Sequence, residues 1–138
     1  MAYSGSPEVA RALSQAIHLA KALGSALCAI TVQEDLLPYT TYAAAFDSSL
    51  SRALIEDQQV HCARLHSEAR ETALREGVKL ETHLLEADAV DAIVRFLLDN
   101  KTDLLVIGLH RHASRMSRQW SMVYEVALDA PCSVLGVH

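Results

Sequence analysis

The stretch Asp103-Leu104-Leu105-Val106-Ile107-Gly108-Leu109-His110-Arg111-His112 decides how the chain is read. Leu104 to Gly108 has the form of a buried parallel strand running into a turn. An uninterrupted apolar run suits a strand covered on both faces, where alternation is not needed. Gly108 permits a turn or a close backbone approach that a side chain would prevent. Beyond it the chemistry changes: no carboxylate stands between Leu104 and Tyr124, whereas His110, Arg111, His112, Arg115 and Arg118 all do. This basic crossover either holds an anion or simply faces water.

On either side of that strand, helical and extended patterns alternate. Ser6-Pro7 is a good helix start, a hydroxyl cap followed by a proline where its missing N–H costs nothing. Val9, Leu13, Ala16, Ile17, Ala20 and Leu23 recur on one helical face, and Gly24 is the natural stop. A short buried strand follows from Leu27 to Val32, then a loop from Gln33 to Ala45. A long helix is expected between Asp47 and Glu76, with Leu50, Leu54, Ile55, His61, Leu65, Ala69 and Ala73 inward, ended by Gly77. Val78 to Leu85 reads as a strand. Asp88 caps a helix striped by Val90, Ile93, Val94, Leu97 and Leu98. After the focal strand, a helix from Ser117 to Leu128 carries Trp120, Val123, Val126 and Ala127. Ala130-Pro131 breaks it, and Cys132 to Val137 is the last strand. This alternation predicts one α/β domain over residues 1–138, with a mostly parallel open sheet and helices on both faces. The helix beginning at Ser6 implies a fifth strand ahead of it. Only Met1 to Ser4 is available, so that strand is short or truncated upstream.

Composition narrows the function classes. The chain has 138 residues, 51% of them hydrophobic and only 5% aromatic, so aliphatic residues and alanines must fill the core. A formal charge of -5 argues against a general nucleic-acid or anionic-membrane binder. Cys28, Cys62 and Cys132 are odd in number and far apart, which points to thiols in a reducing compartment. No apolar run is long enough for membrane insertion and no secretion signal opens the chain, so a cytoplasmic location is expected.

Several segments together resemble the universal stress protein family. Ala2-Tyr-Ser-Gly-Ser-Pro-Glu8 with Ala20-Lys-Ala-Leu-Gly-Ser25 is similar to that family's opening segment. Asp103 to His110 and Ala130-Pro-Cys-Ser-Val-Leu-Gly-Val137 are similar to its last two strands. Glu86-Ala-Asp-Ala-Val-Asp-Ala-Ile93 falls where the family has a Gly-Asp-Pro-type segment. The resemblance implies a Rossmann-like, adenine nucleotide alpha hydrolase-like fold with a five-stranded sheet in the order 3-2-1-4-5. It also implies a homodimer through the last strand, with Cys132, Ser133, Val134, Leu135 and Val137 at the interface. The family's ATP-binding branch has Gly, two residues, Gly, nine residues, then Gly-Ser or Gly-Thr. Here Gly108 matches the first glycine, but Arg111, Ser121 and Met122 stand at the later positions. Ser4 replaces an acidic residue and Ala87 a common glycine. A glycine-rich loop holds phosphate because bare backbone lets N–H groups converge on it. The substitutions therefore imply the branch without ATP binding and no cofactor, or a chain that meets another anion with its side chains.

The candidate anion or nucleotide residues are Gly5, Ser6, Gly108, His110, Arg111, Arg115 and Arg118. The first four of these would gather at the strands' carboxyl ends, where open sheets bind ligands. The arginines suit bidentate phosphate contacts. Each has a plainer reading, Ser6 as a cap and the arginines as a solvated face. His110 and His112 lack the further ligands that zinc demands, and His61 and His66 read as face-formers of the long helix. No triad, carboxylate pair or P-loop lysine occurs, so no enzyme activity is expected. The implied function is a stress-response or regulatory module acting through dimerisation and contacts with a protein partner. The alternatives are a sensor of ATP or another adenine nucleotide with at most weak hydrolysis, and the cytoplasmic regulatory domain of a longer transporter or kinase.

Overall fold

In the computed structural model, which describes residues 7–33, 48–86, 88–109 and 118–138, helices and strands alternate as their patterns predict. They are α1 (Pro7–Leu23), β1 (Leu27–Gln33), α2 (Ser48–Arg75), β2 (Leu80–Glu86), α3 (Ala89–Asp99), β3 (Leu104–Gly108), α4 (Arg118–Asp129) and β4 (Ser133–Val137). Gly24 and Gly77 end α1 and α2 at φ of 62° and 76°, backbone conformations that favour glycine. Lys101 takes a similar turn after α3 at φ 47° despite its side chain. Asp88 caps α3, its carboxylate accepting from the Val90 amide at 3.2 Å.

The sheet is not the single five-stranded one that the alternation and the resemblance imply. The described strands form two parallel pairs, β1 with β2 and β3 with β4. Leu27 lies opposite Leu80 in the first pair, and Leu104 opposite Ser133 in the second. Each pair joins strands separated by one helix, α2 in the first case and α4 in the second. The order 3-2-1-4-5 needs a further strand between β1 and β3. None is found among the described residues, and Met1 to Ser4 lie outside them.

Both pairs nevertheless sit between the same two helical layers. Ala29 of β1 and Val106 of β3 join Val9, Ala12, Leu13, Ala16 and Ile17 of α1 and Leu65, Ala69 and Ala73 of α2 in one apolar cluster. Ile30 of β1 and Leu105 and Ile107 of β3 join Ile93 and Leu97 of α3 and Val126 of α4 in the other. Alanines at 69 and 73 let α2 lie close to its sheet, as the aromatic-poor composition requires. The expected inward faces hold with a few exceptions. Leu23 and Leu98, in the last turns of α1 and α3, are exposed, and so are His61 and Ala127. The side chains of Leu50, Leu54, Ile55 and Trp120 lie outside the described residues, as does the segment 34–47 expected as a loop.

Candidate functional site

The carboxyl end of β3 meets the amino end of α1 at Gly108. A Cβ built there would stand 2.9 Å from the Val9 backbone nitrogen and 3.0 Å from the Glu8 carbonyl carbon and oxygen. Those neighbours are main chain and cannot swing aside, so the position requires glycine. The strand is thereby pressed against the first turn of α1, where helix amides are least satisfied and the helix dipole is positive. Glu8 lies in this same turn, 3.7 Å from Arg11, and places a carboxylate where an anion would otherwise be favoured.

On the other side of the crossover, α4 begins at Arg118 and has no acidic residue in its first turn. Met122, which stands where the nucleotide-binding pattern has a hydroxyl, is half-buried against the apolar cluster of Ile30, Leu105 and Val126. Its packing role accounts for an apolar residue there. Gly108 and the start of α4 are thus located, whereas Gly5, Ser6, His110, Arg111, His112, Arg115 and the side chain of Arg118 lie outside the described residues.

The proposed interface residues fall on β4 and just before it. Among the described residues β4 pairs only with β3. Cys132 and Val134 pack partly against the second apolar cluster, and Val137 against the first. Ser133 is exposed and Leu135 is 37% exposed, with exposed Tyr124 and Leu128 on the neighbouring helix. Cys132 is half-buried rather than fully enclosed. Burial still pushes its pKa up, which makes the thiol a poor nucleophile.

A polar lane under α2 went unread in the sequence. His66 is buried, with Nε2 2.9 Å from Thr31 Oγ1 on β1. Burial, then the charges of Arg70 and His83, lowers its pKa, so the neutral ring is favoured. Arg70 donates from Nε to Thr82 Oγ1 at 3.1 Å, and Gln33 Nε2 donates to Gln58 Oε1 at 3.2 Å. The signal was present: His61 and His66 are five residues apart, about 140° around a helix, so only one of them can face the sheet. Leu65, Ala69 and Ala73 mark the side of the helix to which His66 belongs.

Among the described residues no group of three His, Cys, Asp or Glu side chains could hold a metal ion. No helix among them is long and apolar enough to cross a membrane.

Comparison with known proteins identifies the lineage. The universal stress protein family model matches residues 1–138. A universal stress family protein from Burkholderia pseudomallei is 24% identical, with a TM-score of 0.73 over 98% of this chain and 90% of that one. A universal stress protein in complex with cAMP is also 24% identical, at 0.70 over 100% and 93%. The Archaeoglobus fulgidus universal stress protein in complex with dAMP is 20% identical, at 0.69 over 99% and 94%. These likenesses are of fold. No curated protein matches the chain. With the family model spanning every residue from Met1 to His138, the chain belongs to the universal stress protein family.

Proposed function

We propose that this chain is a regulatory module that takes an adenine nucleotide at the carboxyl end of β3. The observation that carries the reading is the contact of Gly108 with Glu8 and Val9, which joins a strand end to a helix amino terminus. Relatives of the same fold occur in complexes with cAMP and dAMP. Arg111, Ser121 and Met122 replace the glycines and hydroxyl of the usual phosphate loop, so phosphate recognition shifts to the guanidinium groups of Arg111, Arg115 and Arg118. A monophosphate suits such a site better than a triphosphate, because side chains replace a cradle of successive amides. No catalytic group is assigned.

Calorimetric titration with cAMP, AMP and ATP tests this. Saturable binding with Kd below about 100 μM is expected for a monophosphate, weakened at least about tenfold by Arg111→Ala or Arg118→Ala. Absence of heat with all three ligands at millimolar concentration sinks the reading. A second reading, homodimerisation or a protein contact through β4, is favoured by the exposure of Leu135 on that strand. Light scattering of the purified protein tests it: a dimer that Leu135→Lys converts to monomer supports it, and a monomeric parent removes it.

A further inference from the structure

Two side chains of α2, one helical turn apart, reach down to neighbouring strands. His66, 7% exposed, places Nε2 2.9 Å from Thr31 Oγ1 on β1. Arg70 donates from Nε to Thr82 Oγ1 on β2 at 3.1 Å. Thr82 lies opposite Ala29, two residues before Thr31. Four helix residues rise about 6 Å and two strand residues about 6.6 Å, so the two anchors match in pitch. A pair of hydrogen bonds thus holds the helix in register with the sheet.

Apolar contact adds little along that stretch. From Leu65 to Ala73 the buried apolar side chains of α2 are one leucine and two alanines, Ala69 and Ala73. An alanine removes only one methyl group from water. The other face of the sheet is filled instead by Ile30, Ile93, Leu97, Leu105, Ile107 and Val126. Among the described residues His66 is the only buried side chain that gains a charge on acidification.

The surroundings of the ring oppose that charge. Arg70 on its own helix and His83 on β2 act on it with the same sign. The carboxylates nearest in sequence have bases of their own: Glu68 has Arg64 at 3.3 Å, Glu71 has Arg75 at 3.5 Å, and Glu81 has Lys79 at 3.4 Å. Glu56, Asp57, His61 and Glu76 stand on the exposed side of α2, and half-covered Cys62 lies one turn before His66. On α1, Glu8 is 3.7 Å from Arg11, His18 bonds the Ser14 carbonyl, and Lys21 donates to the Glu76 carbonyl. From β1 comes Thr31, which is neutral, while Cys28 packs on the opposite face. A protonated ring must therefore reach water, and water is near, because Arg70 one turn away is exposed.

We propose that His66 is a proton-operated latch: on acidification α2 lifts from β1 and β2 between Leu65 and Ala73, while β3, β4 and α3 stay closed. The lifted form takes the proton more readily than the seated one, so falling pH populates it. Loss of the proton to water lets the ring return to Thr31. A detached stretch of helix is marginal in water, so its amides exchange once it leaves the sheet. This input of pH to the module is independent of any ligand at Gly108.

Hydrogen exchange of the full chain, followed by mass spectrometry at about pH 7.5 and about pH 5 and corrected for intrinsic rates, tests the latch. Protection of the α2 amides from Ala69 to Arg75 should fall at least about fivefold at the lower pH. Peptides covering Ile93 to Leu97 and Leu104 to Gly108 should not change. His66→Gln, which keeps a neutral donor for Thr31, should abolish the loss, and circular dichroism shows whether this variant folds. In the parent protein the His66 ring signal in nuclear magnetic resonance should titrate with a midpoint below the ordinary value of about 6.5. Equal loss in every element, no loss in α2, a loss that persists in folded His66→Gln, or a ring midpoint at or above that value overturns the proposal.

Discussion

The two strand pairs reach stability by different means. The β1–β2 pair meets α2 through hydrogen-bonded polar groups: His66 with Thr31, Arg70 with Thr82, and Gln58 with Gln33. Among the described residues the β3–β4 pair has no such lane. Leu105, Val106 and Ile107 are all buried, and both of its glycines sit where a Cβ would collide. One half is therefore responsive to protonation through His66, and the other is confined at its glycines.

The contrast breaks most easily at Leu105, which is fully buried. Leu105→Ala should cost about 2–5 kcal/mol in denaturant unfolding, and a loss below 1 kcal/mol would mean that this half is loosely packed. Next come the glycines. Gly108→Ala pushes against main chain and should cost about 1–3 kcal/mol. Gly136→Ala meets the Leu109 side chain, with Cδ1 at 2.5 Å, and that group can rotate away. It should cost clearly less, and equal costs would remove the distinction between rigid and yielding neighbours.

Protonation sharpens the comparison from the other side. The folded-state pKa of His66 is lowered, so below the ordinary histidine value of about 6.5 the unfolded chain binds a proton that the folded chain resists. Stability is thus intact above that value and falls as pH drops towards the lowered one. His66→Gln keeps a donor for Thr31 and should flatten the pH profile of thermal unfolding in this window. An unchanged profile would assign the effect to another group. The smallest effect is on the solvent side of α2, where Arg64 and Glu68 are 3.3 Å apart and well exposed. Glu68→Ala should shift stability by no more than about 0.5 kcal/mol.

These differences mark how far the sequence could be read. The strand at Leu104 to Gly108 was legible because five consecutive residues carry one message and glycine closes it. The helix stops at Gly24 and Gly77 and the cap at Asp88 were equally plain, each being a local chemical requirement. Sheet order was not legible. Strand pairing depends on contacts between distant segments, and alternation alone predicts how many strands follow one another, not which edges meet. For the site, a glycine at 108 could be expected to permit close approach, but nothing in the sequence named Glu8 and Val9 as the backbone approached. His61 was placed inward and is exposed, whereas His66 faces the sheet, because the phase of a charged helix is fixed only against its alanine row.

The length of α2 has a mechanical consequence. Its 28 residues extend about 42 Å, roughly twice the span of a seven-residue strand. From Leu65 onward it is held by Leu65, His66, Ala69 and Ala73, whereas between Glu56 and Arg64 only Gln58 and Cys62 are even half-covered. The burial of α2 between Glu56 and Arg75 is thus concentrated in its last three turns, so a load applied near Asp57 is transmitted as torque to the alanine row.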